Sequence, residues 1–445
     1  MTRRIVNFFW GDLGSDEFKK FFLLAIGFFF LIGSYWPLKV LKDSVFMSTV
    51  GVLYQPYVKY MSLILFFPVV LLYSKLADYF PREKLIYTVL GLYGTVGLLF
   101  VYLFMHPTIG LANYEQSPTR LLGWGFYVFV ESYISLMISL YWAFINDVTT
   151  PESAKKGYGL LMFGSQSGAV FFILVGRLLS NNEALYASRS PIIALISVLM
   201  FFVVAMIVFV LTKIVRKKEL SGYEEPKSKD HKDKKEDIGF LDGLKIFLKN
   251  PYVAGIFGTV FFYEVVTVIM NYQLLLTTSN TFMPNRGLVN KFLFNFDLIM
   301  HSSSCLFALF GTSFFQRKLG IRWCLFIYPL FLGFSISFFM YNPVLMFIAG
   351  VIVVAKGINY AFHQPVKEIL YIPTSQTIKY KSKAWVDMFG VRFAKMSGSF
   401  VNNTFGMFVH WIGLISMGII FVWMILANWM GQKYDKIISK GEEVR

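Results

Sequence analysis

The fold class this sequence predicts is an all-α polytopic membrane protein with about twelve transmembrane helices, and three observations predict it. Of 445 residues, 56% are hydrophobic and only 15% are charged. The mean hydropathy of +0.57 lies far outside the range of soluble globular chains. Apolar runs of about 20 residues, the length that crosses a bilayer, recur from end to end. Lys and Arg gather in alternate connections between those runs, as they do in multi-spanning chains.

The runs of the first half are Phe21–Lys42, Tyr57–Lys75, Leu85–Met105, Leu121–Ile145, Tyr158–Leu179 and Pro191–Val215. Those of the second half are Pro251–Leu276, Lys291–Phe315, Trp323–Tyr341, Val344–His363, Ala384–Val409 and Trp411–Met430. The eleventh is interrupted by Asp387, Arg392 and Lys395. Between the halves, Arg216 to Asp237 is dense in both signs of charge and holds Pro and Gly. Such a stretch cannot bury apolar area and reads as a solvated linker. The chain therefore divides into a six-helix bundle over 1–215, a charged linker over 216–242 and a second six-helix bundle over 243–445. Two equal halves fit the repeat logic of transporters.

Positive clusters fall at the N-terminus, Lys75–Lys84, Lys155–Lys156, the linker, Arg317–Arg322, Lys379–Lys383 and the C-terminal tail. Alternate connections such as Tyr341–Pro343 carry few or none, which places both termini and the linker in the cytoplasm. The first run follows Asp12, Asp16 and Glu17 without a small-residue cleavage pattern, so it is expected to be retained as a span. A bacterial inner membrane or a eukaryotic plasma membrane is the expected location. The net charge of +16 lies mostly in short connections, a topology signal rather than a nucleic-acid patch. Cys305 and Cys324 form neither a disulfide framework nor a metal-ligand spacing. No metal, cofactor or protein partner is expected, and the chain reads as a monomer in a lipid bilayer.

Charges inside the runs carry the functional information. A charged side chain at the bilayer centre costs about 2.5–3.5 kcal/mol on insertion scales, so it needs a partner or a wet cavity. Lys39 and Lys42 end the first run, and Lys356, Arg392 and Lys395 recur in later ones. Several cations in an oily chain point to a cavity that holds anions. Lysine binds phosphate as a point charge and arginine as a two-pronged donor, so the set suits phosphate or carboxylate groups. Lys39 either lines that cavity or snorkels to the headgroups; Lys42 is followed by Asp43, which can neutralise it locally. Glu131 is a lone acid in the fourth run, suited to pair with a lysine when the site is empty or to carry a coupling proton. Asp297 and His301 stand four residues apart on one helix face, either as a proton-titrating pair or as a polar contact between helices. Tyr35 and Trp142 flank the charged positions and are candidates for stacking a base ring. Gly164-Ser-Gln-Ser-Gly168 has the spacing of close helix packing. Asn402-Asn403-Thr404 fits a glycosylation sequon but falls inside a predicted span. Phosphate-binding loops, dinucleotide fingerprints and metalloprotease motifs are absent, so no catalytic residues are assigned and the chain is not expected to be an enzyme.

Several segments together carry a resemblance. The first run ends Ser34-Tyr-Trp-Pro-Leu-Lys39-Val-Leu-Lys42-Asp43. The fourth holds Val130-Glu131, then Tyr141-Trp142-Ala-Phe144-Ile-Asn146, then Ala154-Lys155-Lys156. The second half holds Lys356 with Tyr360, Lys367-Glu368 with Tyr371-Ile372-Pro373, Lys379 to Ala384, and Gly390-Val-Arg392-Phe-Ala-Lys395-Met-Ser397-Gly398. In this order along nearly the whole chain, these resemble the nucleotide transporter family of ATP/ADP translocases of intracellular bacteria, plastids and microsporidia. The resemblance implies a twelve-helix, major-facilitator-like transporter of nucleotides. It places the family's transport lysine on Lys42, its fourth-helix acid on Glu131 and the asparagine of its F-W-x-F-A-N segment on Asn146. It also marks departures: the family's seventh-helix acid falls near Asn271, its first-helix Asn is Ser34, a second lysine is Asn359, and its F-D-P segment is His363-Gln364-Pro365.

The expected mechanism is alternating access through a central basic cavity, with Lys42, Lys356, Arg392 and Lys395 on the phosphates and Glu131 as their switchable partner. ATP/ADP exchange and nucleotide import both fit. The rival readings are a proton-coupled carrier of another organic anion such as a sugar phosphate, an anion channel, and an integral-membrane lipid enzyme, the last disfavoured by the lack of catalytic dyads.

Overall fold

The computed structural model describes residues 15–80, 82–149, 151–180, 185–215, 249–310, 312–341, 343–359, 363–371, 373–374, 386 and 390–440. Among them the long elements are all helices. In the first half these are α1 (Ser15–Thr49), α2 (Gln55–Tyr79), α3 (Arg82–Met105), α4 (Leu121–Asp147), α5 (Pro151–Leu179) and α6 (Tyr186–Ile214). In the second they are α7 (Pro251–Phe282), α8 (Arg286–Phe310), α9 (Thr312–Tyr341), α10 (Leu345–Ile358), α11 (Val391–Phe405) and α12 (Val409–Lys440). Each predicted apolar run has its main part on one of these helices, though Lys291–Phe315 runs from α8 into the start of α9, and the tenth and eleventh runs extend over residues outside the described ones. The linker and the Lys379–Lys383 cluster lie outside the described residues.

Among the described residues, eight helices are long and apolar enough to cross a membrane. The chain is thus an all-α, multi-pass membrane protein. Several helices outrun their apolar cores: α1 has 35 residues, about 52 Å at 1.5 Å per residue, against a hydrocarbon layer of about 30 Å. Hydropathy marks the oily middle of a helix, whereas the ends lie among headgroups and water, where Ser15, Asp16 and Lys19 are at no disadvantage. Two of the helices outside the eight, α8 and α11, each carry several polar side chains. Asn402 of the sequon is 2% exposed and donates from Nδ2 to the Val268 carbonyl at 3.2 Å, so it is not presented for modification.

The chain divides into two compact units. The first comprises Met1–Tyr54, Ile64–Asp230 and Phe282–His301, and the second Gln55–Leu63, His231–Thr281 and Ser302–Arg445. Most of the first half lies in one unit, but the leading part of α8 packs with it as well.

In the first unit α1 is the hub, packed on α4, α5 and α6, with α3 against α4 and α6. Its contact with α5 is made by backbone. A Cβ on Gly164 would meet the Ala25 carbonyl oxygen at 2.5 Å, and one on Gly168 would overlap that of Phe29. Small residues let two helices approach this closely, and dispersion then acts over the whole contact. On the α4 side, Ser34 and Tyr133 share a hydrogen bond of 2.8 Å, and Tyr133 stacks on Phe201 at 4.3 Å. Tyr141 donates to the Leu24 carbonyl at 2.8 Å and is fully buried.

The α3–α4 connection is knotted by one side chain. Arg120 donates to the carbonyls of Ile109 at 3.0 Å, Gly110 at 2.7 Å, Asn113 at 3.1 Å and Glu115 at 2.8 Å. The Ser117 N–H then donates to the Thr49 carbonyl at the end of α1 at 2.9 Å.

In the second unit α9 packs on α12 and α10, and α11 on α12. Val265, Ile269, Ala394 and Ile412 join α7, α11 and α12 in a buried core. Gly320 interrupts α9 with φ 72 and ψ 167, a conformation open to glycine at no steric cost, and the membrane-length stretch Gly320–Tyr341 begins there.

Candidate anion-binding site

Pro37 lies inside α1, two residues before Lys39, and withdraws one N–H from the helical ladder. Lys42 is only 4% exposed. Its ammonium is bonded to Glu131 of α4, lies 3.5 Å from Asp43 Oδ1, and sits 4.3 Å from the centre of the Tyr127 ring. Tyr127 and Glu131, four apart on α4, share the face that meets it. The carboxylate satisfies what burial of an ammonium demands, since an unpaired buried charge costs several kcal/mol even after relaxation, on the order of 3–5 when one partner is removed.

The pair is asymmetric. The Glu131 side chain keeps 35% of its surface exposed while that of Lys42 keeps 5%. The acid is therefore the accessible member and the lysine sits behind it. An incoming anion can replace Glu131 at the ammonium while Asp43 and the Tyr127 face hold the lysine in place.

Lys39 forms an ion pair with α8. Its ammonium reaches Asp297 of α8, at 3.0 Å from Oδ2 and 3.2 Å from Oδ1, and lies 5.0 Å from the Trp36 ring centre. The Asp297 side chain is 2% exposed and that of Lys39 25%. Asp297 and His301, which sequence spacing pairs with one another, each meet a different partner from α1: the His301 ring packs edge-on against Trp36 with centres 3.8 Å apart. Replacing Lys39 with glutamine strands the buried Asp297 charge and is expected to lower the thermal midpoint. The double variant Lys39→Gln/Asp297→Asn, with no charge left, is expected to recover most of it. A cycle on detergent-purified protein should give a coupling of about 1–3 kcal/mol; additive losses would show that the pair does not interact.

In the second unit Lys356 of α10 is half-buried and donates to the Tyr263 hydroxyl at 3.3 Å. Tyr263 in turn stacks on His363 with centres 4.9 Å apart, and Tyr328 and Trp423 enclose the same imidazole at 5.3 and 5.8 Å. Arg392 and Lys395 lie in the first turns of α11, half-buried and exposed respectively, and Asn271 is half-buried on α7. Of the stacking candidates, Tyr35 is half-buried, 5.0 Å from the Trp36 ring, and Trp142 meets Phe28 edge-on at 5.3 Å. The side chains of Asn146, Lys155 and Lys156 lie outside the described residues, as does Tyr360.

The structure thus brings together Lys42 with Glu131 and Lys39 with Asp297 within the first unit. Tyr127 escaped the sequence reading although its four-residue offset from Glu131 was legible. The Tyr263–His363–Tyr328–Trp423 cluster was not, because its members come from far-apart stretches of chain. Among the described residues no group of three or more His, Cys, Asp or Glu side chains could hold a metal ion.

The chain is a multi-pass helical membrane protein with paired charges among its helices, and solved structures share that fold. A bacterial homologue of the iron transporter ferroportin aligns over 94% of this chain and 98% of its own, with a TM-score of 0.65 at 13% identity. The nucleoside transporter NupG aligns over 93% and 99%, with a TM-score of 0.60 at 14% identity. The family model described as TLC ATP/ADP transporter matches residues 2–434, and the chain belongs to that family. Its relatives include ADP,ATP carrier protein 1 of Rickettsia prowazekii, 21% identical over 96% of this chain and 95% of the relative. The protein of the same name from Chlamydia pneumoniae is 24% identical over 96% and 93%. A chloroplastic ADP,ATP carrier protein 2 from Arabidopsis thaliana is 24% identical over 95% of this chain and 76% of its own.

Proposed function

We propose that this protein carries adenine nucleotides across a cell membrane, opening to one side at a time, with the substrate phosphates taking the place of Glu131 at Lys42. The observation that carries the reading is the buried ammonium of Lys42 held by a half-exposed carboxylate. Such a site is neutralised when empty and exchanges one anion for another when filled. Tyr35 and Trp142, in the same unit as Lys42, offer faces for the base. Family membership and the names of the relatives supply the substrate class. Both termini and the linker are assigned to the cytoplasm from the lysine and arginine distribution, in a bacterial inner membrane or a plasma membrane, with one chain as the working unit.

Uptake of labelled ATP into proteoliposomes, with and without nucleotide inside, tests this. Saturable uptake that internal ADP stimulates is the result expected of exchange. Uptake indifferent to preloading but abolished by a protonophore indicates proton-driven import through the same site. Uptake of sugar phosphates with none of any nucleotide sinks the reading.

A further inference from the structure

The leading part of α8 presents one polar stripe, and the stripe is buried. Arg286, Asn290, Asp297 and His301 follow helical spacing along a single face, and each is no more than 3% exposed. Over these positions the helix advances about 22 Å, most of the half-thickness of a bilayer with its headgroups. Every level of the stripe meets a polar or aromatic group of the first unit. Arg286 donates to the Asn113 carbonyl at 3.3 Å and lies 3.9 Å from the Tyr114 ring centre and 5.1 Å from that of Tyr186. Asn290 Nδ2 donates to Ser180 Oγ at 3.0 Å, and Arg177 to Asn295 beside the stripe. Asp297 holds Lys39, and His301 packs on Trp36, three residues before Lys39.

The contrast with the α1–α5 contact is informative. That seam is glycine against backbone flanked by Phe29, Phe30, Phe171 and Phe172, and parting it exposes apolar surface with no polar partner gained. The α8 stripe has polar or aromatic partners in either state: Asn113, Ser180, Lys39 and Trp36 meet it when it is closed and water does when it is open. Asn290 Oδ1 is buried with no hydrogen-bond partner among the described residues, and opening gives it water. A nearly balanced equilibrium is what a gate requires, because a modest differential affinity then shifts it.

We infer that this polar stripe, Arg286 to His301, is the gate that opens and closes the path to Lys42 from the membrane face carrying the 106–120 connection. The Arg120-tied connection supplies its outer clasp through Asn113 and Tyr114, and Lys39–Asp297 its inner one. The inference holds for any transported solute and rests on the nucleotide reading only for its activity readout.

The test uses the full chain with Cys305→Ser and Cys324→Ser, a protease site in the 216–242 linker, and Ser180→Cys with Asn290→Cys. After oxidation the two fragments should stay joined on a non-reducing gel. Labelled ATP uptake should fall at least about tenfold and return on reduction, since the bond holds one state of a two-state equilibrium. Joined fragments with undiminished uptake would overturn the proposal, as would failure of the cysteines to join in folded protein. Arg177→Cys with Asn295→Cys poses the same question should the first pair not fold. If the reduced protein moves no nucleotide, the functional reading fails while the gate is still decided by labelling. A lone Asn290→Cys should react with a lipid-impermeant thiol reagent applied from both sides. No reaction there, with an exposed Thr108→Cys control labelled, overturns the gate.

Discussion

Replacing Lys42 with alanine is expected to abolish nucleotide uptake while leaving folded protein in the membrane. A charge-assisted hydrogen bond to an ionised group contributes about 1.5–3 kcal/mol, so losing the ammonium costs roughly 10- to 100-fold in binding. The true loss is larger if the empty site must also be neutral to reorient. Glu131 is half-exposed and can be hydrated when its partner goes, so the fold should survive the change. Glu131→Gln should act differently. Lys42 then keeps Asp43 at 3.5 Å and the Tyr127 ring, and the competing acid is gone. Nucleotide should bind more tightly, and uptake into empty vesicles should slow more than exchange into preloaded ones, because only the empty carrier needs Glu131. Binding by equilibrium dialysis and uptake under both loadings check this; normal uptake by the Lys42→Ala variant removes the site assignment.

Gly168→Val is expected to prevent recovery of folded protein. A Cβ at that position already overlaps the Phe29 carbonyl, and two further methyls push α5 off the hub helix. Neighbouring side chains can rotate away from an added group, but a helix backbone cannot. Overpacking in a well-packed core costs about 1–3 kcal/mol and more where backbone must move. Gly418→Ala on α12, where a Cβ meets nothing within 4 Å, serves as the control. Alanine there should be neutral or stabilising by up to about 1 kcal/mol, the propensity difference between the two residues in a helix. Monodisperse yield in detergent and the thermal midpoint report both. Wild-type behaviour of Gly168→Val would show that the α1–α5 contact is looser than its geometry.

The gate, the site and the seam differ in how far each could be read from residue order. The twelve helices were legible because a bilayer imposes one requirement on every span, a run of apolar residues closing its own hydrogen bonds. The Gly164–Gly168 spacing announced a close approach, though not that α1 is what approaches. Lys42 and Glu131 stood out as charges in oil, each in need of a partner; residue order could not say that they partner each other, 89 positions apart. For Asp297 local spacing pointed to His301, four residues along, yet the carboxylate turns to Lys39, 258 positions away. A cation neutralises a buried carboxylate, and only the folded chain brings Lys39 near Asp297.

What the sequence determined by itself is the solvent of each segment: which stretches lie in lipid, which in water, and which charges must be matched. The matching belonged to tertiary structure. Pairing energy falls steeply with distance in a medium of low dielectric. A few ångströms set by helix packing therefore decide which acid holds which lysine, and which of the two, Glu131 or Lys42, stays exposed.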